Sequence, residues 1–516
     1  MNKILIAVII LVFVSAVPVF AGEVETLEVA YNATAGEVTV QGTASTLEKG
    51  VLVIEILDPS GSLLYFGTTS VDILNAFQLS VEVGDLRSGV YTVRCADYTG
   101  GTYTSQTFTV SRPVVEVDDG VVDQEFVGPT VSKTEDEATI NLIASEDENG
   151  VEKVSVADDL IEEMLKSNPK DIVVKIKTLT GSSGELMVDF SGDALEQMLD
   201  AEIEHLTIET DFGSMEVDLD LFRNMDEQSG DLQIRMTQVL SNELTDAQRQ
   251  VVGNRPVIDF AIFRGEENIT DFSIPVQVKV PYTLANFENQ NQVVVYYITD
   301  GGELKIVPNG YFDSETKTVQ FETNHFSSFA LGYNPIVFED VPVFAWYAEA
   351  VDFTSAREIV KGIGLNQFDP HGRLTRGQFI TMLMRTYGVQ PSASTDNFTD
   401  AGDTFYTGYL AAAKELGLTN GVGENRFEPE RLITREEMFT LIYKAISRFG
   451  LLEVSGSDQA LEVFEDYKNV SDWAQKAISD LTEMGLVEGN EKGQLQPFGE
   501  ASRAEMVALI QRILKR

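Results

Sequence analysis

Three arginines, Arg376, Arg435 and Arg503, stand 59 and then 68 residues apart, and each directly follows a hydroxyl residue: Thr375, Thr434 and Ser502. Three residues beyond each hydroxyl comes Gln378, Glu437 or Glu505, a capping-box pattern that puts every arginine in the first turn of a helix. The helix dipole disfavours a cation there by roughly 0.3 to 1 kcal/mol. Yet the placement recurs three times in a chain with 37 basic and 82 acidic residues. A guanidinium beside free N–H groups at a helix start can hold a carboxylate through bidentate, charge-assisted bonds. An internal acid such as Asp340, Asp400 or Asp466 would serve equally, so position alone leaves both partners open.

Other residues keep register with the arginines. Fourteen residues before each stands a glycine (Gly362, Gly421, Gly489), six before it a proline (Pro370, Pro429, Pro497), and thirty before it Trp346, Phe405 or Trp473. Every unit opens on Phe-x-Asp, ending at Asp340, Asp400 and Asp466. The pattern predicts a first helix that bears the aromatic and ends near the glycine in a left-handed cap. A loop closing on the proline follows, then a second helix. In that helix, positions three, four, six and seven beyond the arginine are apolar in all three units, which makes one buried face.

Together the Phe-x-Asp start, the helix-one aromatic, the glycine, the proline and the Thr/Ser-Arg-x-Glu/Gln box resemble the S-layer homology domain. The copies are expected over 338–395, 398–458 and 464–516. The resemblance implies an all-α, pseudo-threefold module whose inter-repeat grooves bind secondary cell wall polysaccharide bearing pyruvate ketals, on a Gram-positive-type envelope. It assigns ligand contact to Arg376, Arg435, Arg503, Asp340, Asp400, Asp466, Trp346, Trp473, Gly362, Gly421 and Gly489. Phe405 replaces tryptophan in the second unit, which makes that groove the weakest candidate. Gly377 in the first box should weaken its helix start by about 1 kcal/mol. The expected protein is a non-catalytic S-layer or S-layer-associated surface protein, with the wall polysaccharide, and other surface-protein subunits, as its partners.

The remaining sequence fits that setting. Lys3, the apolar run 4–14 and Val19-Phe20-Ala21 read as a signal peptide over 1–21. No later run reaches the roughly 18 apolar residues a membrane helix needs. A formal charge of -45 argues against nucleic acid as a partner and leaves solubility, or loosely held calcium, to account for the acidity. One cysteine, Cys95, excludes an intrachain disulfide, and His205, His325 and His371 lack metal-motif spacing, so no cofactor or metal is expected. Residues 22–112 alternate apolar and polar between turn residues in about seven short strands, resembling an immunoglobulin-like sandwich. Residues 113–137 read as an acidic linker, and 138–335 as a β-rich mixed domain with short helices near 160–165 and 194–199.

An alternative places chemistry in residues 138–335. His325-Phe326-Ser327 resembles the His-apolar-Ser/Thr tripeptide of self-cleaving domains. In a strained turn, His325 would activate Ser327 Oγ to attack the Phe326 carbonyl, giving an ester that water opens. The competing reading is a last strand with Phe326 and Phe329 packed inward.

Overall fold

The computed structural model describes residues 23–110 and 130–516, apart from 33–36, 46–50, 58–62, 73–74, 84–88, 98–103, 135, 148–149, 180–183, 224–229, 286 and 451–459. The expected signal peptide and most of the expected linker lie outside the described residues. The chain forms two compact units, 1–126 and 127–516.

Among the described residues of the first unit, seven strands form two antiparallel sheets. One orders Glu23–Asn32, Glu37–Ser45 and Ala76–Glu82; the other orders Leu63–Ser70, Val51–Leu57, Gly89–Asp97 and Thr104–Val110. Alternation sets the faces: Leu52, Ile54 and Ile56 of one sheet and Val38 and Val40 of the other are buried in a shared core. Cys95 sits opposite Ile54, buried, and its thiol is pushed up to about 12 by burial, so it packs as a small inert hydrophobe.

The second unit opens with two large sheets on one core. Glu137–Ile143, Asp171–Lys177 and His205–Thr210 run parallel in one of them. Parallel neighbours need crossovers, and these include the helices Asp158–Leu165 and Gly192–Asp200, which bury Ile161, Met164, Leu195 and Met198. Thr130–Lys133 is already a strand, paired antiparallel with Glu137–Ile143, so this domain starts inside the stretch expected to be linker. Four residues beside a run of acids are too short to announce their alternation.

Three two-helix repeats follow. The first helices are Ala348–Ala356, Thr407–Glu415 and Asp472–Glu483, and the second are Arg376–Thr386, Arg435–Arg448 and Arg503–Leu514. Each second helix packs on the first helix of the next repeat, and the third repeat's second helix returns to the first repeat. The extended segments leading into the second helices close a ring: the Leu374 N–H donates to Ala501, Ala501 to Ile433, and Ile433 to Leu374, at 3.0 to 3.1 Å. No repeat completes this ring alone.

Arg357, just past the helix Ala348–Ala356, joins the repeats to the β domain. Its guanidinium is buried and donates to the carbonyls of Gly310, Asn291, Val293 and Phe353 at 2.6 to 2.9 Å. Burial pulls its pKa down to about 9, so it remains charged at neutral pH and is solvated by backbone oxygens.

Candidate functional site

All three boxes form as the spacing requires. The hydroxyls of Thr375, Thr434 and Ser502 accept from the N–H of Gln378, Glu437 and Glu505, whose side chains reach back to the N-cap N–H. Arg376 and Arg503 are buried and Arg435 is largely so, and none of them is beside free helix N–H groups. The N–H groups of Arg376 and Gly377 donate to Arg431 and Pro429, those of Arg435 and Glu436 to Gly499 and Pro497, and those of Arg503 and Ala504 to Gly372 and Pro370. The expectation of open first-turn donors is therefore corrected: loop carbonyls of the neighbouring repeat take them.

The guanidiniums follow the same cyclic rule. Arg376 Nε donates to Phe427 O at 2.9 Å, Arg435 Nε to Leu495 O at 2.7 Å, and Arg503 Nε to Phe368 O at 2.7 Å. Their partners beyond this differ. Arg376 pairs with Glu437 at 3.0 Å, and Arg435 pairs with Glu505, the box acid of the next repeat in each case. The corresponding residue for Arg503 is Gln378, which has no charge. Arg503 instead donates to Lys361 O at 2.8 Å and lies 4.5 Å from the Phe368 ring centre, with no carboxylate in ion-pair range among the described residues. Burial lowers its pKa, and Asp369 and Asp340, farther off, only partly offset that.

Asp340, Asp400 and Asp466 are not the arginines' partners. Each carboxylate accepts two consecutive loop N–H groups: Phe368 and Asp369, Phe427 and Glu428, Leu495 and Gln496, all at 2.7 to 2.8 Å. The second residue of each pair has positive φ, between 52° and 60°, so the aspartates hold a strained turn that carries the carbonyls bound by the arginines. Burial alone would raise the Asp340 and Asp400 carboxyls, but these N–H donors hold both below the ordinary value.

Of the three glycines only Gly421 is left-handed as expected, with φ of 75°. The left-handed residues just past the first helices are Glu358, Gly417 and Gly485, not Gly362 and Gly489. Gly362 is needed for close approach: a Cβ there would stand 2.6 Å from the Phe338 ring and 2.7 Å from Gln367 O. Gly377, expected only to weaken its helix, admits the Tyr406 ring, 2.6 Å from where a Cβ would be.

The aromatics are the open part of the site. Trp346, Phe405 and Trp473 are 66%, 60% and 56% exposed, and lie at the starts of the three first helices. Helix pairing puts Trp346 at the junction holding Arg503, Phe405 at that of Arg376 and Trp473 at that of Arg435. Sequence reading overlooked Glu437 and Glu505 as arginine partners, although the Gln/Glu/Glu difference at the box position was visible.

Around His325 the geometry favours packing. Thr318–His325 belongs to one large sheet and Ser328–Tyr333 to the other, so the chain changes sheets at Phe326–Ser327. Ser327 Oγ donates to Ile298 O at 3.3 Å, and His325 packs against Tyr297 and Phe329. Neither Phe326 nor Ser327 has positive φ.

Three interlocked two-helix repeats, each with an exposed aromatic at a junction that holds a largely buried arginine, define a class of modular helical domain. The S-layer homology domain matches residues 337–380, 397–439 and 463–507; the chain carries three of them. An amylopullulanase of Thermoanaerobacterium thermosulfurigenes is 27% identical over 366 residues, 70% of this chain and 18% of that protein. A cellulosome-anchoring protein of Acetivibrio thermocellus is 28% identical over 184 residues, 34% of this chain and 39% of that protein. The S-layer protein sap of Bacillus anthracis is 26% identical over 174 residues, 34% of this chain and 20% of that protein. The chain thus spans less than two fifths of each of these relatives.

Proposed function

We propose that this is a non-catalytic cell-surface protein, held non-covalently to an acidic wall polysaccharide by its three C-terminal repeats, with the β-rich unit at its N-terminus presented outward as an immunoglobulin-like module. Within the repeats, which we read as pseudo-threefold, the junction of the third and first is the principal carboxylate site. The observation that carries this reading is the Arg503 guanidinium, which has no ion-pair partner among the described residues where Arg376 and Arg435 each have one. A ketal carboxylate of the pyruvate type supplies the missing charge, and Trp346 offers a face on which a sugar ring stacks. The other junctions contribute stacking at Phe405 and Trp473, and several weak contacts on one polymer add through avidity. The names of the anchoring and S-layer relatives agree with a surface location.

Co-sedimentation of the full chain with purified walls tests the proposal, before and after chemical removal of the non-peptidoglycan polymer. Binding to intact walls that disappears with the polymer is expected. Undiminished binding to stripped peptidoglycan contradicts it.

A further inference from the structure

At the opposite end of the second helices, where the repeats meet the β domain, lies a cleft of about 1120 Å³. It is large enough for several sugar rings, since small-molecule pockets usually hold roughly 300 to 1,000 Å³. Its wall carries five basic residues against two acidic ones, Glu322 and Glu358, in a chain whose overall balance is strongly the reverse. Of these, Lys305, Lys361, Arg385 and Arg516 make no ion pair among the described residues, and the first, second and last are exposed. The fifth, Arg357, forms the floor and ties both walls together through its carbonyl bonds, so the cleft is built in rather than a gap between loosely tethered parts.

Aromatic surface is interleaved with the charge. Arg385 Nε donates to the Tyr409 hydroxyl at 3.2 Å and its guanidinium lies 5.3 Å from that ring, while Tyr387 and Phe449 stack at 4.4 Å. Two polar atoms of the wall, the Tyr387 hydroxyl and Asn309 Oδ1, are buried without a hydrogen-bond partner among the described residues. Buried polar atoms of this kind are few in native proteins, and each calls for an explanation.

We propose that this cleft is a second binding site, separate from the inter-repeat junctions, for an acidic saccharide: Lys305 and Arg385 take its carboxylates and the tyrosine faces take its rings. The site does not depend on the function assigned to Arg503, and it lies at the other end of the helices that begin with the box arginines.

The test is calorimetric titration of tetragalacturonate, an acidic probe, and maltotetraose, a neutral one, into the full chain carrying Gln378→Glu, which fills the Arg503 site internally. Tetragalacturonate is expected to bind this chain and maltotetraose to bind much more weakly. Adding Lys305→Gln and Arg385→Gln should weaken tetragalacturonate by about tenfold or more, as expected for loss of charged hydrogen bonds. Lys305→Glu, at an exposed strand position that leaves the packing intact, should do the same. Equal binding of both probes, unchanged affinity in Lys305→Glu, or no tetragalacturonate binding at millimolar concentration would overturn the proposal.

Discussion

The carboxylate of Glu505 neutralises the Arg435 guanidinium across the boundary between the second and third repeats, 70 residues away in sequence. Glu437 does the same for Arg376 and also pairs with Arg431 at 2.6 Å. The cycle breaks at the third position, where Gln378 replaces an acid. Glutamine still closes the capping box, accepting from the Thr375 N–H at 3.1 Å, so the helix start is kept while the charge is removed.

Glu505→Gln should therefore leave the third box formed and unpair Arg435. Losing a charged, partly buried hydrogen bond costs about 1.5 to 3 kcal/mol, measurable as a lower urea midpoint. In return the second junction should gain affinity for a carboxylate-bearing wall fragment; unchanged affinity would separate the arginine charge from binding.

The exposed aromatics make the opposite prediction. Trp346→Ala and Trp473→Ala remove mostly solvent-facing rings, so stability should stay within about 0.5 kcal/mol of the parent. Retention on walls should fall. An alanine variant that melts early but sediments normally with walls would make the tryptophans structural.

Acid should loosen the repeats. The Asp340, Asp400 and Glu437 carboxyls lie below their ordinary values of 3.8, 3.8 and 4.5 in the fold; for Glu437 the lowering by Arg431, the Thr434 N–H and Arg376 outweighs burial. As pH falls, the unfolded chain takes up these protons first. Their stabilisation is thus complete above the unfolded values and is lost as pH drops through the lower folded ones. Melting temperatures from pH 7 to 2 should hold until about pH 4.5 and then decline; Asp400→Asn should flatten part of that decline.

Arg357→Met tests the joint between the repeats and the β domain. It leaves four buried carbonyls short of a donor, so the loss should exceed about 3 kcal/mol. Denaturation followed by tryptophan fluorescence, which reports only the repeats because Trp346 and Trp473 are the two tryptophans, should shift with far-UV dichroism. Separate transitions in the parent would mean the two parts unfold independently.

Local signals made much of this legible. The arginine register located the repeats, the boxes located the second helices, and alternation located strands of the first unit such as Val51–Leu57. What escaped is non-local. The Arg376–Glu437 pair spans 61 residues and the Arg357 acceptors lie 47 to 66 residues earlier, except Phe353, so no window on the sequence contains both partners. Gly362 follows the same rule: a glycine after a helix suggests a cap, whereas its neighbours here are the Phe338 ring and a loop carbonyl. The resemblance assigns the aspartates to a ligand, and the loop each one holds is a second, structural reason for their recurrence.

The most direct measurement is titration of a pyruvylated wall disaccharide into the parent chain and into Gln378→Glu. Glutamate at position 378 should pair with Arg503 as Glu437 and Glu505 pair with their arginines, leaving melting temperature unchanged or raised while lowering affinity by about tenfold or more. Equal affinity in the two proteins, with the new ion pair formed, would contradict a carboxylate site at Arg503.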